Sequence, residues 1–283
     1  MIIPQSPSGR HPSDHNLPKT RNESFTVLIP VRLPTVKVGE HLEEIVLRSL
    51  KRRRLRLRKG DVVAVASKVV STCEGRLRKL SEVRVTRAAR RLARKWNLDE
   101  RVVTIVLEES DEILGGVPGF LLTVKNRVLT ANAGVDLKNC PPGSAILWPK
   151  NADSSAMRLR RSLEENYRVR LAAIVVDSRV TPMRLGTVGL AIGMSGLLPV
   201  RDFRGAPDIY GRKIMVTQTN AADDLAASVH LVMGEASERI GMVIVRNAPV
   251  LLRSVNSSRK TWLSPSRCLI TSNIVRAKGF TVQ

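Results

Sequence analysis

Aromatic residues make up only 3% of this 283-residue chain. Its core must therefore come from Val, Leu, Ile and Ala, and few rings are available to stack on nucleic-acid bases. The three cysteines, Cys73, Cys140 and Cys268, are odd in number, far apart and outside any CxxC pattern. That excludes a disulfide framework and a cysteine-based zinc site, and it predicts a reducing, cytoplasmic setting. The N-terminal MIIPQSPSGRHPSD has no apolar core of the kind a secretory signal needs. The longest apolar stretch, Thr187–Val200, is short and interrupted by glycine, too little to span a bilayer. No GxGxxG follows a strand-like run and no GxxxxGK[ST] occurs, so the dinucleotide fingerprint and the P-loop are both missing. Ser195 in GMSG is not a G-x-S-x-G elbow. His11, His15, His41 and His230 are scattered over a tail and two expected helices, where each reads as a surface or core residue.

Acids are also scarce. Lys and Arg number 47 against 25 Asp and Glu, a formal charge of +22. Such a field draws anions: nucleic acid, acidic membrane surfaces or phosphorylated substrates. The densest basic run is KRRRLRLRK, Lys51–Lys59. It reads first as the solvated exit of a helix and second as a nucleic-acid contact. No zinc-finger, KH or RNP1 pattern accompanies it. High-temperature ion-pair networks are a weak account of the excess, because 25 acids cannot pair 47 bases.

What is present reads as a mixed α and β chain without a regular βαβ rhythm. Residues 1–24 are polar and aperiodic and read as a disordered tail. Phe25–Leu33, Val62–Ala66, Ala145–Trp148, Arg170–Val176, Lys213–Gln218 and Met242–Arg246 read as strands, and Phe120–Val124 with Arg127–Ala131 as a hairpin. Glu40–Lys51 has Leu42, Ile45, Val46 and Leu50 on one helical face. Further helices are expected after Thr86, after Asp99, from Asp153 or Ser154, and from Asn220 to Gly234. Gly115–Gly119 and Cys140–Gly143 read as breaks, and the last thirty or so residues as irregular. The LEESDE cluster, Glu108 to Glu112, reads as a solvated helix end paired with arginines.

In a chain so poor in acids, three carboxylates stand where elements stop. Asp136 follows LTANAG, Asp177 follows LAAIVV, and Glu235 follows LVMG. Carboxylates that converge repel one another, and a hard divalent cation such as Mg²⁺ or Mn²⁺ relieves that repulsion while bridging substrate phosphates. The plainer account is that each acid caps a helix or pairs with an arginine.

Taken in order, LPTVKVGEHL (33–42), GDVVAVASKVVSTCEGR (60–76), VLEES (106–110), ANAGVDLKN (131–139), VVDS (175–178) with the glycine-rich stretch to Gly196, the D..G..D.YGR segment (202–212), ADDLA (222–226) and LVMGE (231–235) resemble the archaeal coenzyme F-420-0:L-glutamate ligases, the gamma-glutamyl ligases. The resemblance implies an α+β fold of two similar, interwoven halves with mixed sheets, spanning 25–250, followed by a C-terminal extension, 251–283. It implies an intertwined cytoplasmic homodimer that uses GTP and Mg²⁺ or Mn²⁺, with K⁺ as a further cation. The γ-phosphoryl group would pass to the carboxylate of the deazaflavin coenzyme precursor, and the amine of L-glutamate would displace it. By the same resemblance Asp136 and Asp177 are catalytic, and Asp136, Asp177, Ser178 and Glu235 hold metal. Leu33, Pro34, Thr35 and Val36, then Ser67, Lys68 and Asn139, contact the nucleotide. Met233, Gly234, Ala236, Ser237, Glu238, Arg239 and Ile240 form the loop around its phosphates. The glycines after Asp177 are expected to let that segment wrap an anionic substrate.

The chain departs from the family pattern at three places. Val180-Thr181 stand where a Gly-Arg pair is common, with Arg179 as a shifted substitute; Thr72 stands where Lys is common; and no proline follows MGE. These changes alter the anion-binding shell and leave the acids intact. They keep two other readings open: a family member with another acceptor or without turnover, and a basic nucleic-acid-binding protein.

Overall fold

The most apolar runs of the chain become the strands of one sheet. The computed structural model describes residues 25–277, and the tail expected at 1–24 lies outside them. Strand β1 (Val27–Val31), β2 (Val62–Ala66), β8 (Ala172–Val180), β9 (Thr187–Ser195) and β12 (Met242–Arg246) form a five-stranded sheet in the order β1-β12-β2-β8-β9. Only β2 and β8 run parallel, with Val62 opposite Ala172 and Ala66 opposite Val176. The fold is α+β with mixed sheets, as expected.

Both faces of this sheet are covered, which is why β2 is a continuous apolar run and not an alternating one. Val63, Val65, Ala173, Val175, Met242 and Ile244 face helices α1 (Leu42–Arg52) and α5 (Ala152–Tyr167). Val62, Ala64, Ile174, Val176, Val243 and Val245 face helix α6 (Ala221–Met233). A one-residue slip interrupts the β8–β9 pairing, since Val175 pairs with Gly193 and Val176 with Ala191. One extra residue exchanges the faces of the strand. Gly193 therefore meets α5 while Gly189 meets α6, so closely that a Cβ would stand 2.3 Å from the Ala152 carbonyl carbon or 2.1 Å from the Ala226 oxygen. These two glycines permit helix packing. They do not form the flexible, substrate-wrapping segment expected of them; the chain there is an antiparallel hairpin.

Between α2 (Ser67–Cys73) and α5 lies a second packed unit. It holds β3 (Leu77–Lys79), α3 (Arg87–Trp96), α4 (Glu100–Glu109), the meander β4 (Glu112–Val117), β5 (Phe120–Lys125) and β6 (Val128–Ala131), and β7 (Ser144–Ile146). Its own core gathers Ala89, Ala93, Val103, Ile105, Leu121, Ala133 and Leu147. Thr86 accepts from Ala89 N and Asp99 from Arg101 N and Val102 N, capping α3 and α4 as their sequence positions predict. The hairpin turn is Asn126-Arg127, both left-handed.

Several expectations are corrected. Gly115 and Gly116 are strand residues of β4, because the meander edge accepts a bulge there. The cap of α5 is Asn151, which accepts from Ser154 N, while Asp153 accepts from Met194 N and Ser258 N. Residues 213–217 are not a strand; the pairing lies further on, between β10 (Val200–Asp202) and β11 (Gln218–Asn220). The C-terminal segment contains helix α7 (Leu269–Ala277) where an irregular chain was expected. Of the LEESDE acids, Glu109 is no solvated residue: it accepts from Arg76 and from the buried Lys125.

Asp61, 1% exposed, is held between strands β2 and β12. It accepts from Arg246 Nε at 3.0 Å and Nη2 at 2.8 Å and from Arg58 N at 2.8 Å. Removing one partner of a buried pair strands the other charge. Arg246→Met is expected to lower the unfolding free energy by about 3–5 kcal/mol in urea titration; a loss under about 1 kcal/mol would mean that solvent reaches Asp61.

Candidate active site

The parallel pair sets the site. Because Ala66 lies opposite Val176, the two strands end side by side, and the next residues are Ser67-Lys68 on one and Asp177-Ser178 on the other. Strand β1 points the same way and releases Leu33–Val36 at the same sheet edge. Strand β12 runs opposite, so the segment leading into it, Met233–Gly241, also arrives there. Ligands in open sheets containing parallel strands commonly bind at this carboxyl edge. Here it opens into a cleft of about 430 Å³.

All of the residues assigned to the nucleotide line this cleft: Leu33–Val36, Ser67, Lys68, Asn139, Met233, Gly234 and Ala236–Ile240. So do Asp177, Ser178 and Glu235. Asp136 does not line it but reaches it through Lys68, whose Nζ lies 2.7 Å from Asp136 Oδ2. The second unit brings Asp136 here: its N–H donates to Ile146 O, and Asn139 Nδ2 donates to Ala236 O at 3.1 Å.

Each carboxylate has its own partner. The Trp148 indole N–H donates to Asp177 Oδ2, and Ser178 N donates to Oδ1 at 2.9 Å. Burial pushes the Asp177 carboxyl above the ordinary carboxylate range, against the pull of the Ser178 N–H, the Lys68 charge and the Trp148 indole. Burial acts on Asp136 in the same sense. There the Lys68 ammonium and the Lys138 N–H prevail and hold the carboxyl low. Glu235 is also held low against its burial, by His230, the Ser178 hydroxyl and Lys138. His230 Nε2 is 2.7 Å from Glu235 Oε1, and Thr187 Oγ1 donates to the same oxygen at 3.2 Å.

The donor set of Asp136, Asp177, Ser178 and Glu235 is all oxygen, which suits a hard cation of the Mg²⁺ or Mn²⁺ class. Among the described residues, no three His, Cys, Asp or Glu side chains stand together as a closed metal cage. The positive charge beside Asp136 is the Lys68 ammonium.

Two residues that partner the acids escaped the sequence reading, His230 in the cleft and Trp148 behind Asp177. His230 was expected on a helix surface or in the core; it sits on the last turn of α6 and faces Glu235. Its five-residue spacing from Glu235, across a helix end, was the available signal. Trp148 carried none, because the contact that aims it comes from Gly134. That glycine has φ +71° and would place a Cβ 2.3 Å from the indole nitrogen, so only glycine lets the two segments meet. Thr72 lines the cleft where the family often has Lys, and its hydroxyl donates to Lys68 O at 2.8 Å. Arg179 does not line the cleft; its Nη2 lies 3.9 Å from Asp223 Oδ2 on α6.

A family model described as F420-0:Gamma-glutamyl ligase matches residues 30–247. The chain belongs to this family. Among curated proteins it is 39% identical over 236 residues to the coenzyme F420:L-glutamate ligase of Methanopyrus kandleri, covering 82% of this chain and 92% of that protein. It is 38% identical over 218 residues to the protein of the same name from Archaeoglobus fulgidus, covering 77% and 86%. To that of Methanocaldococcus jannaschii it is 36% identical over 226 residues, covering 79% and 88%.

The raised Asp177 has a consequence for stability. An acid whose folded pKa is raised favours the folded state below its unfolded pKa, and that contribution is lost as pH rises through the folded value. In metal-free buffer, Asp177→Asn removes this loss. The melting temperature of the variant minus that of the wild type is expected to grow as pH rises from about 4, the ordinary aspartate value. A difference that shrinks with pH would show that Asp177 is stabilised as the anion.

Proposed function

We propose that the protein is a GTP- and metal-dependent ligase that adds L-glutamate to the precursor of the deazaflavin coenzyme F420 through an acyl phosphate. The observation that carries this reading is the convergence at one sheet edge of every nucleotide-contact position with Lys68, Asp177, Ser178 and Glu235. The names of its relatives supply the acceptor and the amino acid.

In this reading Leu33–Val36 and Asn139 hold the base and sugar, and Lys68 neutralises phosphate charge as a point cation. The segment Met233–Ile240, bent by left-handed Gly234 and Arg239, would offer the phosphates those backbone N–H groups not already used within it, since Gly234 N donates to His230 O and Ala236 N to Glu238 Oε2. Asp136, Asp177, Ser178 and Glu235 would hold the divalent cation, whose chemistry is charge neutralisation on the transferring phosphoryl group. A carboxylate oxygen of the coenzyme precursor attacks the γ-phosphorus, the bond to the bridging oxygen breaks, and GDP leaves. The glutamate amine then attacks the acyl carbon, the carbon–oxygen bond to phosphate breaks, a proton is released from the nitrogen, and inorganic phosphate leaves with the amide formed. The replacement of the usual Gly-Arg pair by Val180-Thr181 favours an acceptor less dependent on a bidentate arginine than is usual in the family.

The test is calorimetric titration of GTP with and without Mn²⁺, repeated on Asp177→Asn, followed by phosphate release with the coenzyme precursor and glutamate. Metal-dependent binding that is lost in the variant, and turnover needing both substrates, are expected. Failure of GTP to bind under any metal condition would end this reading.

The homodimer belongs to the same proposal. Beyond Ala66↔Val176 strand β8 pairs with β9 alone, so 177–190 form a two-stranded ribbon that leaves the sheet. Its tip carries Met183 and Leu185 fully exposed, and the arm 203–217 exposes Ile209 and Tyr210. Apolar tips of this kind mark association surfaces. Light scattering is expected to give a dimer for the wild type and a monomer for Met183→Asp with Leu185→Asp; a monomeric wild type would refute it.

A further inference from the structure

The basic run Lys51–Lys59 takes no part in the cleft. Helix α1 ends at Arg52, and the chain then crosses to the start of β2, at the end of the sheet opposite the cleft. The leucines of the run turn inward, Leu57 into the core and Leu55 against it, while the arginines and lysines between them stay exposed. Hydrogen bonds fix this segment against its neighbours. Arg246 Nη2 donates to Arg56 O, and Gly60 N donates to Arg170 O, both at 2.9 Å. This brings the exposed Arg168 and Arg170, in the turn before β8, beside the run. None of these exposed bases has a carboxylate within ion-pair distance among the described residues. The acids nearby are mostly engaged: Asp61 by Arg246, and Glu164 by Arg160 and Leu171 N. Glu165 stays exposed and subtracts one charge.

Arg54 and Arg168 have φ of +54° and +55°. Such left-handed positions, one of them just past the C-terminus of α5, favour Gly or Asn on structural grounds. Arginine is also left-handed at Arg127 and Arg239, so at Arg54 and Arg168 what marks the pole is exposed charge without an ion pair among the described residues.

We propose that this pole binds the phosphate backbone of a double-helical nucleic acid. The preponderance of arginine over lysine suits bidentate phosphate contacts. The nearby Tyr167 ring packs against the core and its hydroxyl donates to Leu55 O at 3.4 Å, and the exposed Phe25 before β1 is a lone ring at this end of the sheet, not a platform on which successive single-stranded bases could stack. The leucines are turned inward, and the exposed Phe25 and Val27 at this end do not make the broad apolar face that membrane insertion needs. The pole lacks a projecting helix to enter a groove, so binding reads backbone and shape and not base sequence. This inference does not rest on the ligase reading, since the pole and the cleft share no residue.

The test is fluorescence anisotropy with a labelled DNA duplex of about 20 base pairs between 50 and 200 mM salt, the range over which counterion release is read. Arg54, Arg58, Arg168 and Arg170, all changed to Gln, form the pole variant. Arg84, Arg87, Arg91 and Arg94, all exposed on or beside α3 and changed to Gln, form a control with the same net charge. The wild type is expected to bind, and the pole variant to reduce the slope of log K against log salt by about 3.6, or about 0.9 for each phosphate that is no longer neutralised. The control is expected to keep nearly the full slope. Retained melting temperatures guard against misfolding. No duplex binding by the wild type, equal losses in both variants, or binding to anionic vesicles but not to the duplex would each overturn the proposal.

Discussion

Everything at the cleft depends on the register of one strand pair. The parallel alignment of β2 with β8 makes Ala66 and Val176 neighbours, and the next residues along each strand are the ones that carry charge. A slip of one residue would carry Lys68 away from Asp136 and turn Asp177 to the other face of the sheet. The register is well specified because both strands are buried on both faces, so a shifted pairing would misplace two packed cores at once. Strand polarity then completes the site. The strand parallel to the pair ends there and the antiparallel one begins there, so four separate chain segments meet at one edge.

The second packed unit contributes what the sheet alone does not. It carries Asp136 and Asn139 to the cleft, and it presses Gly134 against Trp148 so that the indole reaches Asp177. The three carboxylates thus differ in electrostatics. Asp136 and Glu235 rest directly against cationic or protonatable partners, while Asp177 is buried, is hydrogen-bonded by neutral donors and feels the Lys68 charge without an ion pair. A buried acid with no ion-pair partner has the largest unmet demand for positive charge, which is what a metal or a phosphate-bound cation would meet.

Charge is divided along the molecule. At the carboxyl edge of the sheet, bases and acids are matched and the space is concave. At the opposite edge the bases are unmatched and convex, and only the buried Asp61–Arg246 pair is neutralised within the protein. This part of the surplus lies at the end of the sheet away from the cleft; other exposed bases without an ion-pair partner among the described residues, such as Arg87, Arg91 and Arg94 on α3, lie elsewhere.

Much of this was legible in the chain itself. Val62–Ala66 and Met242–Arg246 were readable to the residue, because a short apolar run between a turn and a polar stop has few alternatives. Thr86, Asp99 and Asn220 were readable as caps from local chemistry. Asp136, Asp177 and Glu235 stood out because acids are rare and each follows the end of an element. Other features depended on partners distant in sequence. Gly189 and Gly193 looked like hinges, and only the helices on either face gave them a packing role. Residues 213–217 had strand character but pair with 203–207 only through an isolated bridge and scattered hydrogen bonds. His230 became a cleft residue and Trp148 a partner of a cleft residue through contacts with Glu235 and Asp177. The sequence by itself determined which segments are buried, where helices start and which acids are exceptional, since these follow from local periodicity and capping. The tertiary structure decided which ends of those segments meet, because pairing register and strand polarity are set by long-range packing that no local pattern encodes.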